Sequence, residues 1–306
     1  MGRYEKLTLI FFALLLLLPV GLSAVGDLLP AGYVLRVVSS ALMLTSLALA
    51  QNVLLGYTGY PAFGGIAFFG IGSYTAGVLS KNLGFPLLLS ILAGGVLSLI
   101  VAIAIAPVLM RLRSHYFAIA TLALQIALAE FVSNLEFTGG SYGINLPIYR
   151  GFLEGYLFYL LFWAVALSAF LLNLYVDRSV FGYALKAIRE DELAAESVGV
   201  NTVLFKSLSF GLMAFVTGLT GGVYAFWITY IDPSSTFDPL LSVKTFVALL
   251  LGGVGTTVGP IVGAFSLELI SEVVWSRFLE LHGIILGALI VLAVLFLPRG
   301  VVGAKG

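Results

Sequence analysis

The sequence predicts an all-α polytopic membrane protein, and three observations support this fold class. Of the 306 residues, 60% are hydrophobic and 10% are charged, whereas roughly 25% are charged in an ordinary soluble domain. Apolar stretches of about 20 residues, long enough to cross a hydrocarbon core, recur along the chain. Runs such as LTLIFFALLLLLPV and GIILGALIVLAVLFL do not alternate apolar and polar residues as barrel strands do. Because an unpaired backbone group is costly in lipid, the spans are predicted to be helices.

The apolar windows predict about ten membrane spans. These cover residues 7–25, 33–55, 61–80, 86–110, 115–133, 156–176, 207–231, 240–254, 257–276 and 283–298. The third, eighth and ninth spans are short or rich in glycine, so a broken or re-entrant helix is an alternative at each of them. The predicted number of crossings is therefore about eight to ten.

Lysine and arginine positions predict the orientation, because cytoplasmic loops hold an excess of both. With the N-terminus inside, the inner segments hold Arg3, Lys6, Arg111, Arg113, Arg178, Lys186, Arg189, Lys206, Arg299 and Lys305, and the outer loops hold Lys81, Arg150 and Arg277. Both termini and the loop 177–206 are then cytoplasmic, and the turn-rich loop 134–155 is external. A cleaved signal peptide is an alternative for the first span, although its length favours a retained helix.

Composition excludes several classes of function. The chain has no cysteine and only two histidines, so thiolate sites, cysteine nucleophiles and histidine-rich metal clusters are not expected. Its 15 Lys and Arg residues balance 15 Asp and Glu residues, so nucleic-acid binding is not expected either. No G-x-x-x-x-G-K-[ST] loop is present to bind nucleotide phosphates. We expect no catalytic residue, no metal and no cofactor.

The cytoplasmic stretch DRSVFGYALKAIREDELAAESVGVN, which begins at Asp177, predicts one amphipathic helix. Ser179 is a candidate N-cap and Gly199 is placed to end the helix. The apolar positions at helical spacing are Phe181, Leu185, Ile188, Ala195 and Val198. This apolar stripe is expected to face a partner, whereas a solvated loop helix is the alternative that charged stretches usually favour.

Opposite charges on this helix predict two weak ion pairs. Lys186 and Glu190 are four residues apart, and Arg189 and Glu192 are three residues apart. Each pair is expected to contribute only a few tenths of a kcal/mol.

Several segments resemble the branched-chain amino acid ABC-transporter permeases of the LivM type. The run from Phe181 to Asn201, with its core ALKAIREDELAAESVGVN, resembles the cytoplasmic coupling segment of that family. Similar segments are GYTGYPAFGGIAFFGIGSYTAGVL near residue 56, RSHYFAIATLAL near 113, LLGGVGTTVGPIVGA near 251 and the closing LPRGVVG. They follow the order of the family over nearly the whole chain.

The resemblance implies a single transmembrane permease domain, residues 1–306, in the cytoplasmic membrane of a prokaryote. It implies a second, related permease subunit, two cytoplasmic ATP-binding subunits and an external substrate-binding protein. The implied solute is a branched-chain or another hydrophobic amino acid, with urea or an amide as an alternative. An ion-coupled secondary transporter is a further alternative, although its inverted repeats and midplane ion ligands are not visible in the sequence.

The resemblance also assigns contacts with the ATPase to one coupling helix. The expected contact residues are Phe181, Leu185, Ile188, Arg189, Glu190, Asp191, Glu192, Ala194, Ala195 and Gly199. The apolar side chains would be buried at the contact, the alanines would permit close approach, and Gly199 would allow a sharp turn. Across ABC importers this segment usually has Glu-Ala-Ala, three further residues and Gly; here Ala194, Ala195 and Gly199 match, and Leu193 replaces the glutamate.

Ionisable residues inside predicted spans are candidates for a translocation path or for structural charge pairing. They are Arg36, Glu130, Lys244, Glu268 and Glu272. Glu268 and Glu272 are one helical turn apart, so Lys244 is expected to pair with one of them. A zwitterionic amino acid would need a cation and an anion of this kind, but structural pairing is the interpretation that we favour.

Glycines in the third span and just before it allow two interpretations. Gly56, Gly59, Gly64, Gly65, Gly70 and Gly72 either permit close approach of helices or break a helix so that its backbone lines a cavity. The sequence LLGYTG at 54–59 is echoed by LLGGVG at 250–255, which is too short to establish a repeat.

Overall fold

The computed structural model describes residues 3–24, 31–148, 156–277, Gly287 and 300–303. In these residues the chain is mostly helical, as predicted. The helices are α1 Arg3–Ala24, α2 Ala31–Gln51, α3 Ala67–Leu83, α4 Leu87–Leu109, α5 Ser114–Ser133, α6 Leu157–Arg178, α7 Val180–Glu190, α8 Glu192–Ser197, α9 Thr202–Ile228, α10 Pro233–Thr236, α11 Pro239–Gly252, α12 Gly259–Arg277 and α13 Gly300–Gly303. A π-helical turn, Asn52–Gly56, continues α2 directly.

A small ribbon lies among the helices. Strand β1, Ile144–Asn145, pairs antiparallel with strand β2, Tyr230–Ile231, and Ile144 stands opposite Ile231. The ribbon connects the loop after α5 with the end of α9.

Six helices in the described part of the chain are long and apolar enough to cross a membrane. They are Gly32–Gly56, Leu87–Leu109, Ser114–Ser133, Leu157–Arg178, Thr202–Ile228 and Pro233–Gly252. The chain is therefore a helical, multi-pass membrane protein. The spans predicted over 7–25, 61–80 and 257–276 correspond to α1, α3 and α12, which are not among the six. Apart from Gly287, the span predicted over 283–298 lies outside the described residues, so the count of eight to ten stays a prediction.

The helix is interrupted between α2 and α3, where the sequence suggested a broken segment. The π-helical turn runs on into Tyr57 and Thr58, and Gly59 then takes a φ of 76°, which favours glycine. Residues 59–66 are not helical, and α3 begins at Ala67. We call residues 57–66 the helix break. The echo LLGGVG behaves similarly, because it also follows a helix to its end and its last glycine, Gly255, has a φ of 81°.

The chain divides into two compact units, which are residues 1–49, 151–171 and 245–306 and residues 50–150 and 172–244. In the first unit, Tyr159 donates a hydrogen bond to the Leu15 carbonyl (2.5 Å) and Trp163 donates one to the Phe12 carbonyl (2.9 Å), which ties α6 to α1. A buried apolar cluster of the first unit joins α2, α11 and α12; its members are Leu44, Ala48, Val247, Ala248, Ala264 and Leu267.

The second unit is built on close contacts between glycines. Helix α9 packs against both α3 and α4, and an added Cβ atom at Gly72 would lie 2.0 Å from the Gly218 carbonyl oxygen. Gly221 lies equally close to the backbone of Phe69, and Gly94 lies close to the backbone of Gly72. The close-packing interpretation therefore applies to Gly72, whereas the helix-breaking interpretation applies to Gly59.

Candidate functional site

The segment expected to be one coupling helix is two helices. Asp191 has extended backbone angles (φ −158°, ψ 111°) and separates α7 from α8. Its carboxylate accepts a hydrogen bond from the Ala194 N–H (3.0 Å) and thereby caps α8. The prediction of one continuous helix was wrong because an aspartate side chain competes for backbone donors and favours a new helix start. We call residues 179–199 the coupling segment.

Both predicted ends of the segment are confirmed. The Ser179 hydroxyl accepts a hydrogen bond from the Gly182 N–H (3.1 Å), as an N-cap does. Gly199 has a φ of 91°, its N–H donates to the Glu196 carbonyl (3.0 Å), and the Val200 N–H donates to the Ala195 carbonyl (3.0 Å). These two bonds close the C-terminus of α8 in the pattern that glycine usually completes.

The predicted apolar stripe packs against the chain itself. Leu185 is 0% exposed and belongs to a cluster with Val53, Tyr57 and Val176. The Phe181 ring stacks on Phe205, with 5.7 Å between ring centroids. α7 uses this face to pack on the π-helical turn, α6 and α9, and Ile188 and Ala195 are also buried within the chain. The expectation of a contact with a partner is therefore not met by the buried Leu185 and Ile188, and it stays a prediction for the partly exposed Phe181.

A different apolar surface is exposed on the coupling segment. Leu193 and Val198 are each 78% exposed, and Val180 and Tyr183 are exposed as well. Val198 was predicted to belong to the buried stripe, but the break at Asp191 rotates α8 relative to the pattern of a continuous helix. Acidic side chains accompany this surface, since Glu190, Asp191 and Glu196 are exposed, as are Ala194 and Gly199.

The two predicted ion pairs within the segment are replaced by contacts with other elements. Lys186 pairs with Asp177, with 2.8 Å between Nζ and Oδ1, and not with Glu190. Arg189 donates from Nη1 to the Gly56 carbonyl (2.5 Å) and does not pair with Glu192. The local pairs expected from sequence spacing are weak, so contacts with a carboxylate of another helix or a free carbonyl replace them.

Glu192 belongs to a partly buried polar network centred on Lys206. Lys206 is 1% exposed and forms an ion pair with Glu192. Its Nζ also donates to the Met110 carbonyl (3.0 Å) and lies 3.1 Å from the Tyr60 hydroxyl oxygen. The Tyr60 hydroxyl in turn donates to Glu192 Oε2 (2.6 Å), and the ammonium lies 4.4 Å from the centroid of the Tyr60 ring. This network joins α4, α8, α9 and the helix break.

The contacts in this network lower the pKa of Glu192 and raise the pKa of Tyr60. Burial alone would raise the pKa of Glu192, but hydrogen bonds from Lys206 and Tyr60 outweigh it, so the pKa falls below its ordinary value of 4.5. Burial, and then the hydrogen bond to Glu192, raise the pKa of the Tyr60 hydroxyl. Ionised Glu192 therefore stabilises the folded chain at pH values above its ordinary pKa. This contribution to folding stability is lost as the pH falls through the lowered pKa of Glu192.

The sequence pattern does not mark Lys206 as a site residue, because it reads as one of several cytoplasmic positive charges. A lysine near the start of a long apolar helix nevertheless signals a buried partner. Asn52 and Asn173 were also missed; both are buried and joined by a hydrogen bond of 2.9 Å.

The embedded charges predicted for a path or for pairing lie in different surroundings. Arg36 and Glu130 are exposed. Glu268 is buried on α12, and Glu272 on the same helix accepts a hydrogen bond from the Tyr33 hydroxyl (2.8 Å). A pairing of Lys244 with either glutamate stays a prediction. Over the residues that the structure describes, no group of three His, Asp or Glu side chains is placed to hold a metal ion.

Comparison with known proteins identifies similar sequences. The family described as "Branched-chain amino acid transport system / permease component" matches residues 33–294. The high-affinity branched-chain amino acid transport system permease protein LivM of Salmonella typhimurium is 28% identical over 284 residues, or 83% of this chain and 66% of that protein. LivM of Escherichia coli K12 gives the same values. The high-affinity branched-chain amino acid transport system permease protein LivH of Escherichia coli K12 is 31% identical over 144 residues, or 46% of each chain.

The aligned chain spans slightly less than two thirds of the length of the two LivM relatives, at 66%. No solved structure matches the chain significantly.

Proposed function

The chain belongs to the family of branched-chain amino acid transport permeases, and on this premise we propose that it is the membrane-spanning subunit of an ATP-binding-cassette importer. The solute is a branched-chain or another hydrophobic amino acid, in keeping with the names of the LivM and LivH relatives. Separate ATPase subunits supply the energy, because this sequence carries no phosphate-binding loop.

The observation that carries the proposal is the exposed surface of the coupling segment. Leu193 on α8 and Val198, which directly follows α8, are largely exposed and lie outside the six apolar spans. Large apolar side chains that stand beside acidic ones in this way are typical of a docking surface. The ATPase is expected to receive Leu193 and Val198 in an apolar groove with basic residues at its edge.

The complete importer is proposed to contain two ATP-binding subunits, an external binding protein and a second permease subunit. The similarity to both LivM and LivH supports a pair of related but different permeases. The chain is proposed to lie in the cytoplasmic membrane of a prokaryote with eight to ten crossings, both termini and the loop 177–206 inside, and the loop 134–155 outside.

Purification and reconstitution test the proposed function. The tagged chain, isolated from its own host, is expected to bring down two ATP-binding subunits and a second permease. In liposomes this complex is expected to accumulate radiolabelled leucine only when ATP and the binding protein are supplied. Uptake driven by an ion gradient without ATP would instead support the secondary transporter, and uptake of urea or an amide without leucine would overturn the proposed solute.

Thiol labelling tests the proposed orientation. Single cysteines replace Leu112, Ser141 or Ser197, all of which are exposed, in a chain that has no cysteine of its own. In intact cells an impermeant reagent is expected to label position 141 alone, because the basic residues place the other two positions inside. Permeabilised cells provide the control, in which position 112 also reacts. Labelling of positions 112 and 197 but not 141 in intact cells would reverse the topology.

A further inference from the structure

Two side chains join the coupling segment to the helix break and to Gly56 just before it, and we propose that these contacts transmit the movement of the coupling segment to the membrane helices. Glu192 and Arg189 are the coupling-segment residues, and Tyr60 and Gly56 are the residues that they hold. The inference rests on the proposed function of the chain as an ATP-driven permease and assigns Glu192, Arg189 and Tyr60 as positioning residues.

The contact of Arg189 depends on the Gly56 carbonyl, which loses its helical donor where the helix is interrupted. If α2 continued, the Tyr60 N–H would donate to the Gly56 carbonyl. It bonds instead to the Thr58 hydroxyl oxygen (3.2 Å), which follows from the turn at Gly59. Arg189 donates to the Gly56 carbonyl in place of the missing helix bond, at 2.5 Å. The guanidinium of α7 therefore replaces part of the interrupted helix ladder.

The second contact is held in place by a buried cation. The Tyr60 hydroxyl and Lys206 both donate to the carboxylate of Glu192, and Lys206 also donates to the Met110 carbonyl at the end of α4. A buried ammonium without a carboxylate is costly. Lys206 therefore prevents Glu192 from turning toward solvent, and α8 cannot move without either carrying Tyr60 with it or breaking this network.

The helix break in turn contacts a membrane helix. The Ser114 hydroxyl at the start of α5 donates to the Gly59 carbonyl (3.2 Å), and the Gly64 N–H donates to the Thr121 hydroxyl (3.3 Å). The backbones of Gly64 and Thr121 are so close that a Cβ atom on Gly64 would lie 1.7 Å from the Thr121 carbonyl oxygen. A displacement of Tyr60 thus reaches α5 through packed backbone and not through a flexible loop.

Two conservative variants and a matched control test the transmission. Tyr60→Phe removes one hydroxyl and keeps the ion pair of Glu192 with Lys206, and Glu192→Gln removes the charge. Tyr159→Phe is the control, since it also removes one tyrosine hydroxyl, and the bond that Tyr159 donates to the Leu15 carbonyl (2.5 Å) lies outside the coupling segment and the helix break. Each variant is isolated with the ATPase that co-purifies with it, and leucine uptake per ATP hydrolysed is measured in liposomes.

We expect Tyr60→Phe and Glu192→Gln to retain the ATPase and to lower leucine uptake per ATP by about tenfold, which is the effect of one lost charge-assisted hydrogen bond. Tyr159→Phe is expected to match the wild type. Wild-type uptake per ATP in Tyr60→Phe would overturn the inference, and so would an equal loss in the Tyr159→Phe control or loss of the ATPase from Tyr60→Phe. A wild-type chain that binds no ATPase would instead contradict the proposed function.

Discussion

Replacing Leu193 with aspartate is expected to abolish ATP-driven leucine uptake and ATPase co-purification while the permease remains folded. Leu193 is 78% exposed, so the substitution removes little packing within the chain. In an apolar groove of the ATPase, however, an unpaired carboxylate would be desolvated at a cost of about 2–5 kcal/mol. Such a cost corresponds to at least about 30-fold weaker docking. Pull-down with the tagged permease and leucine uptake in liposomes measure the two effects.

Leu83→Asp is the matched control for this prediction. Leu83 is also an exposed leucine, but it lies at the end of α3, beside the loop predicted outside the cell. Its substitution is expected to leave ATPase co-purification unchanged. If Leu193→Asp retained both the ATPase and uptake, α8 would be a solvated loop helix and the docking assignment would be wrong.

Replacing Gly72 with leucine is expected to prevent folding of the permease. A Cβ atom at this position would lie 2.0 Å from the Gly218 carbonyl oxygen, and backbone cannot move aside as a flexible side chain can. The three glycine-rich helices α3, α4 and α9 would have to separate, at a cost of about 3 kcal/mol or more. The yield of monodisperse protein after size exclusion in detergent and its Tm are the measurements.

Gly32→Leu is the matched control for this second prediction. Gly32 also lies in a long apolar helix, but nothing stands within 4 Å of an added Cβ atom there. Its yield and Tm are expected to match those of the wild type, because leucine favours a helix more than glycine does. A normal yield for Gly72→Leu would contradict the close packing of α3 on α9.

The structure changes how a coupling defect should be tested. Aspartate at Ala195 would be the obvious substitution from sequence alone, because the alanine belongs to the motif shared with ABC importers. Ala195 is buried within the chain, however, so a charge there would disturb the fold of α8 itself. The exposed Leu193 separates docking from folding, and Ala195 does not.

Hydrophobicity and capping residues predicted the helical fold class and the limits of the coupling segment. Ser179 and Gly199 could be placed because a cap acts through its own backbone neighbours. The interruption at Asp191 was missed because the apolar pattern continues across it. The contacts of Glu192 with Tyr60 and Lys206 were missed as well, since both partners lie in other elements and only tertiary packing brings them to Glu192.

The ribbon of β1 and β2 fixes the conformation of part of the loop that follows α5 before any partner binds. Ile144 pairs with Ile231, and the Tyr230 hydroxyl donates to the Tyr142 carbonyl (2.9 Å), so residues 142–145 are bound to the end of α9 in the free chain. Conformational freedom that is already lost does not have to be lost again on association. A soluble receptor that docks beside Tyr142 would therefore meet a preorganised surface, and its affinity would depend on the chemistry of the contact more than on ordering of this part of the loop.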